Sequence, residues 1–311
     1  MEHRQKIIVG GLGGGGDIIL ALMVLKAYSI DLENVVVVSF NKCRTKRGLH
    51  DIRVKGALVR VPPSYFSSRR VFEDKLYLLE PRLANKTYIV CARDSFNNVV
   101  EGLEWIIENY RPEVLLHSDI GGDSLIIGYE KKLGSYKTDT IARASLALIA
   151  KKYKVKSYLA VSCVGCEGGG GELDHYELAA NLEYAANKGA LVKTILLPRD
   201  IIRVGYEALR YADSGMLPMF LAALRGKTQV EIHRAYLHGK YEIKPWYKCT
   251  YVLDNVAYCG LSPICRNLAE KGELPLRRGN KPRKRLRADR LNPNATLERI
   301  CRLFSNTGKF L

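Results

Sequence analysis

The fold is decided by Lys6-Ile7-Ile8-Val9-Gly10-Gly11-Leu12-Gly13-Gly14-Gly15-Gly16-Asp17-Ile18-Ile19-Leu20, residues 6–20. An apolar run stops at glycines and resumes at helical spacing, which predicts a strand at Lys6–Val9, a loop at Gly10–Gly16 and a helix from about Asp17 to Tyr28. Leu20, Val24, Ala27 and Tyr28 then share one face, and Asp17 caps the helix start. Gly11 to Gly16 satisfies G-x-G-x-x-G between a strand and a helix, where backbone N–H groups and the helix dipole favour an anion. Gly11, Gly13, Gly14, Gly15, Gly16 and Asp17 are therefore the first candidate ligand-binding residues. The Lys-Ser/Thr of a P-loop is missing, so nucleotide hydrolysis is not the leading expectation.

Outward from this turn, strands are expected at Val35–Ser39, Thr87–Ala92, Val114–Asp119, Ser157–Cys163 and Thr194–Pro198. Helices are expected at about Asn97–Tyr110, Thr138–Tyr153, Asp174–Asn187 and Val204–Leu224. This alternation predicts an α/β fold: a Rossmann-like, doubly wound, mainly parallel sheet with a C-terminal extension. Arg44–Glu80, with Pro62-Pro63, reads as an excursion at the ligand edge, either a lid or a static insertion. The domain reading is a body over residues 1–228 and a mixed extension over 229–311. The extension is expected to hold short strands at Val230–Ala235, Tyr241–Ile243 and Thr250–Leu253, and helices at Pro263–Lys271 and Ala295–Phe304.

Two further turns join the first. Val9–Asp17 lies without a gap over Val164–Glu172, at an offset of 155 residues, so the body is read either as two related halves or as a chance glycine match. Gly168, Gly169, Gly170 and Gly171 form a second backbone nest or a flexible turn, with Glu172 at the following helix start. Ser118-Asp119-Ile120-Gly121-Gly122-Asp123-Ser124 follows the Val114 strand. Asp119 and Asp123 can bind Mg²⁺, a ribose hydroxyl or an ammonium group, or serve only as a cap and a turn acid. Mg²⁺ would bridge these carboxylates to an anionic substrate. The candidate catalytic residues are Asp119, Asp123 and Glu172; Asp119 and Asp123 are the candidate metal ligands; Gly121 and Gly122 join the ligand-binding set.

Taken together, Gly13–Asp17, Asp119–Asp123 and Gly168–Glu172 resemble the motifs of the uncharacterised archaeal DUF1152 family over most of the chain. The resemblance implies a Rossmann-like architecture and no particular activity.

Other side chains give weaker leads. No acid ends the second strand to hold an NAD ribose; Arg44 and Lys46 lie nearby instead, so NADP ranks behind Mg²⁺ as a cofactor. Cys163-x-x-Cys166 supplies half of a structural zinc site or a redox pair, with Cys249, Cys259 and Cys265 as distant partners; separate thiols are the plainer expectation. His117 and His175 flank the acidic turns and rank below them as proton-transfer groups.

The formal net charge is +17, and the segment over residues 277–290 carries +7 of it, leaving +10 elsewhere. An anionic partner follows: a small molecule first, with RNA contact through the basic segment as the alternative. Eight cysteines in 311 residues, without signal-peptide order, suggest a cytoplasmic protein with reduced thiols, and no apolar run is long enough to span a bilayer. The function expected is a metal-assisted enzyme acting on a small phosphate- or carboxylate-bearing substrate; the alternative is a nonenzymatic nucleotide-binding or RNA-associated protein.

Overall fold

The computed structural model describes residues 6–13, 15–43, 52–64, 72–128, 130, 136–166, 175–234, 237–272 and 292–303. Gly14, Gly168–Gly171, Glu172 and the basic segment 277–290 lie outside them.

The chain forms an α/β fold around one large sheet. Its centre is five parallel strands in the order β5 (Thr87–Cys91), β2 (Val35–Asn41), β1 (Ile7–Gly11), β6 (Val114–Ile120) and β7 (Lys156–Ser162). β1, β5 and β6 are buried at every residue, as expected of strands covered on both faces. Both margins are antiparallel. The hairpin β3 (Arg53–Lys55) and β4 (Leu58–Arg60) adds to β5, while β11 (Cys249–Asp254) runs antiparallel between β7 and β8 (Leu191–Leu196). The sheet is thus mixed, and the expectation of a mainly parallel one is corrected. The run Thr250–Leu253 announces a strand, but nothing local states that it returns from the C-terminal extension to fill the gap beside β7. A separate ribbon pairs β9 (Gln229–Arg234) with β10 (Leu237–Glu242).

Helix α1 (Gly15–Ala27) packs on β1 and β6 and is buried continuously from Gly16 to Leu25, so it is a core helix and not the one-sided helix its spacing suggested. α2 (Phe96–Tyr110) starts where Ser95 Oγ accepts the Asn98 N–H at 3.2 Å. It packs on α3 (Tyr136–Tyr153), which also meets α7 (Asn255–Leu261) and α8 (Pro263–Lys271). α4 (His175–Asn187) pairs with α9 (Pro293–Leu303). The single helix expected over Val204–Leu224 is two, α5 (Ile202–Ala208) and α6 (Met216–Leu224). Asp213-Ser214-Gly215 breaks it, and Ser214 Oγ accepts the Leu217 N–H at 3.2 Å, a local bond that competes with helix continuation.

Six cysteines form disulfides, Cys43–Cys91, Cys249–Cys301 and Cys259–Cys265, correcting the expectation of separate thiols. Partners 48 and 52 residues apart meet only because β2 neighbours β5 and α9 covers β8 and β11. Among the described residues no helix is long and apolar enough to cross a membrane.

Candidate functional site

The carboxyl ends of β1, β6 and β7 share one rim because the strands are adjacent, parallel and in register: Gly11 pairs with Ser118, and Ile120 with Ser162. Backbone bonds then knit the turns together. Leu12 N–H donates to Ser118 O at 3.0 Å, Gly121 N–H to Ser162 O at 3.0 Å, and Gly165 N–H to Gly121 O at 2.7 Å. The turns starting at Gly10, Asp119 and Gly165 therefore open side by side.

Within the first turn the chain supplies its own anion. Asp17 Oδ2 accepts the Gly13 N–H at 2.9 Å, and Oδ1 accepts the Ile120 N–H at 3.0 Å. Ser118 Oγ donates to the Asp17 carbonyl at 2.5 Å. This carboxylate staples the glycine loop to β6. Gly15 and Gly16 face protein: a Cβ there would stand 2.7 Å from Phe72 Cβ and 2.5 Å from Ser214 Oγ. Gly13 faces acids, its Cβ position lying 3.2 Å from Asp17 Oδ2 and 3.9 Å from Asp139 Oδ1. Gly11 ends β1 in the core. Gly121 and Gly122 take left-handed backbone, φ 133° and 111°, which turns the chain back beside the rim.

Asp119, at the end of β6, is buried and accepts Ser124 N–H at 3.2 Å and Ser124 Oγ–H at 2.5 Å. Asp123 opens the 3₁₀ turn Asp123–Leu125 and is half-buried. Against them stands Asp139, in the first turn of α3 and only 5% exposed. It hydrogen-bonds Asp123, while its Oδ2 is buried without a partner among the described residues. Burial, then the charges of Asp123 and Asp119, hold the Asp139 carboxyl well above the usual range; burial, then Asp123 and Asp17, do the same to Asp119. One turn on, Arg143 is 1% exposed. Its Nη1 donates to Ser124 O at 2.6 Å and Ile126 O at 2.9 Å, and its Cζ lies 4.6 Å from the Tyr258 ring centroid. This cation clamps the segment that follows Asp123.

Sequence reading missed Asp139 and Arg143. Both lie in an ordinary helical stretch without glycines, and the only signal was an acid in a first turn with a base four residues on.

The third turn is held by side chains. Trp246 Nε1–H donates to Val164 O at 3.1 Å, Tyr247 Oη–H to Gly165 O at 3.1 Å, and His175 Nε2 to the same carbonyl at 3.0 Å. His117 is in the sheet interior, where Nε2 donates to Val38 O at 2.9 Å and burial pushes its pKa down to about 4. Cys163 and Cys166 are buried free thiols. Cys249, Cys259 and Cys265 are disulfide-bonded, which overturns them as zinc partners. Among the described residues no group of three or more His, Cys, Asp or Glu side chains is arranged to hold a metal ion.

No curated protein matches the sequence. Among solved structures, a deacetylase triple mutant from the teicoplanin biosynthetic pathway is 11% identical, with a TM-score of 0.36 over 80% of this chain and 98% of that one. The antimicrobial reagent A40926 pseudoaglycone deacetylase is 14% identical, with a TM-score of 0.36 over 81% and 98%. The family model described as protein of unknown function (DUF1152) matches residues 44–281, spanning Asp119, Asp123, Asp139 and the Gly165 turn, and the chain belongs to that family.

Proposed function

We propose that the acidic rim is the active centre of an enzyme acting on a small phosphate- or carboxylate-bearing substrate with Mg²⁺ as the bridge. The observation that carries this reading is Asp139 Oδ2, buried beside Asp123 and Asp119 and without a hydrogen-bond partner among the described residues. Leaving a buried polar atom unsatisfied costs about 1–3 kcal/mol, a cost that a ligand in contact with the atom would remove. Mg²⁺ usually takes one or two carboxylates and completes its octahedron with water and substrate oxygens. Asp119 and Asp123 suit that role, and no third protein ligand is required. The ion also offsets the repulsion that the ionised acids of the rim would exert on an anionic substrate. Asp139, which keeps its proton to higher pH than an ordinary carboxyl, is the group placed to donate it. Glu172 and Gly168–Gly171 follow the third turn in sequence, and the reading does not lean on them.

The same proposal takes residues 1–228 as a Rossmann-like body with its ligand at the carboxyl ends of β1 and β6, and 229–311 as the extension that completes the sheet. Manganese, an EPR-visible stand-in for Mg²⁺, tests it. Titration with inorganic phosphate present should show saturable binding that Asp123→Asn weakens on the order of tenfold or more. Asp139→Asn should keep the ion and lose turnover in a screen of phosphorylated and carboxylated compounds. Binding indifferent to both Asp119→Asn and Asp123→Asn would end the reading.

A second reading, auxiliary RNA contact, is favoured by one surface. Lys26, Arg199, Arg203 and Arg225 line a groove of about 740 Å³ together with Asp200 and Tyr206, and Arg225 Cζ stacks 4.2 Å from the Tyr206 ring centroid. Basic side chains interleaved with an aromatic suit phosphates and stacked bases. RNA affinity should fall steeply with salt and with Arg199→Ala/Arg203→Ala; affinity insensitive to both removes this reading.

A further inference from the structure

Apart from the acids, the same end of the sheet holds three sulfurs. Cys163 follows β7 directly, and Cys166 N–H donates to its carbonyl at 2.9 Å, folding the Cys-x-x-Cys stretch into a turn. Cys163 sits at φ 54°, left-handed backbone that is unfavourable for a side chain other than Asn or Asp and persists where the surroundings fix it. The two thiols lie close enough to interact with each other, and both with Tyr247. Cys166 Sγ lies 3.6 Å from Met216 Sδ, at the start of α6. All three side chains are buried. Both cysteines remain thiols although the other six are paired.

We propose that Cys163, Cys166 and Met216 form a binding site for a soft monovalent cation, Cu(I). Three sulfurs each ~2.3 Å from one ion in a trigonal plane stand about 4.0 Å apart, so the 3.6 Å between Cys166 Sγ and Met216 Sδ requires a shift of only a few tenths of an ångström. Thiolate and thioether together select Cu(I), whereas zinc takes four Cys, His or carboxylate ligands. The nearby imidazole of His175 is engaged with the Gly165 carbonyl. On binding, Cu(I) displaces one proton from each thiol and leaves a dithiolate–thioether complex; no electron is transferred. The site does not depend on the acidic rim's chemistry.

The test uses the full chain with its disulfides intact, under nitrogen, with ascorbate holding copper as Cu(I) and bicinchoninate as the competing chelator. One Cu(I) per chain should be retained, with X-ray absorption showing sulfur neighbours alone, three per ion. Cys163→Ser/Cys166→Ser should abolish retention. Met216→Leu conserves volume and keeps the fold, so it tests the site even if the double variant misfolds. It should weaken retention on the order of tenfold or more. Retention unchanged by Met216→Leu, no retention by the parent chain, or Zn²⁺ held as tightly as Cu(I) would each overturn the site.

Discussion

Val9-Gly10-Gly11, which ends β1, aligns in sequence with Val164-Gly165-Cys166, which follows β7, yet the turns at these two strand ends are satisfied in opposite senses. In the first, backbone N–H groups point inward and a carboxylate of the same chain, Asp17, takes them. In the second, carbonyls point inward, and Trp246, Tyr247 and His175 bring N–H and O–H donors to them. One turn is thus an anion nest already holding its own anion; the other is a carbonyl shelf closed by aromatic residues from the segment leading into β11. Aligned glycines therefore fix neither the course of the chain, strand at Gly10 and turn at Gly165, nor the polarity of what the chain binds.

The strongest way to break this contrast is at the glycines. A Cβ at Gly10 would overlap the backbone carbonyl of Val38, which belongs to the neighbouring strand and cannot move aside. Gly10→Ala should cost at least about 4 kcal/mol, read as loss of a urea unfolding transition or of soluble protein. Gly165→Ala meets the side chains of His175 and, more loosely, Leu178 and a backbone at φ 80°, so about 1–3 kcal/mol is expected. Equal penalties would erase the distinction.

A second cut isolates the aromatic side. Cys249–Cys301 closes a separation of 52 residues just beyond Tyr247, and chain-entropy arguments give such a loop about 4 kcal/mol. Cys301→Ser should lower stability by that order and speed amide exchange at Gly165, while exchange at Gly13 stays slow. Faster exchange at both turns would mean that they are not independently held.

Smaller substitutions sharpen the polarity argument. Asp17→Ala leaves the Gly13 and Ile120 N–H groups without their acceptor, at about 2–4 kcal/mol together; Tyr247→Phe removes one donor from a carbonyl that His175 still serves, at about 1 kcal/mol. Denaturant melts of the two variants check the order, and the reverse order would contradict it.

The gentlest probe is pH. Asp119 and Asp139 have folded pKa values raised above the ordinary 3.8. The native state therefore holds more protons, and the stability they contribute is complete below that value and falls as pH rises through the folded pKa values. His117 is lowered from 6.5 to about 4, so its contribution is present above 6.5 and is lost as pH falls toward 4. Asp139→Asn should flatten the upper limb, by up to about 1.4 kcal/mol per pH unit where Asp139 titrates, and leave the lower limb alone. A stability profile identical to that of the parent chain would show that Asp139 is not perturbed.

What the sequence disclosed follows from how local each signal is. The first strand, turn and helix were legible because an apolar run, glycines and an apolar helix follow one another within about twenty residues. The common rim was legible too, since parallel strands put their carboxyl ends on one side. β11 was seen as a strand but not as one lying between β7 and β8, because its direction depends on the path of the whole extension. Asp213-Ser214-Gly215 announced the break between α5 and α6, yet the apolar periodicity on both sides outweighed it. Asp139 escaped because its importance comes entirely from Asp119 and Asp123, which precede it by 20 and 16 residues in the chain and reach it only through packing of α3.

The central claim is that Asp119 and Asp139 both hold protons at the rim; a bound cation displaces that of Asp119, while Asp139 keeps its own for the substrate. The most direct measurement is a ¹³C NMR titration of aspartate carboxyl carbons in the full chain, assigned with Asp119→Asn and Asp139→Asn, without and with Mg²⁺ plus inorganic phosphate. Both residues should titrate above the other aspartates, and Mg²⁺ with phosphate should drive the Asp119 midpoint down. Midpoints near 3.8 for both, unmoved by Mg²⁺ and phosphate, would contradict the account.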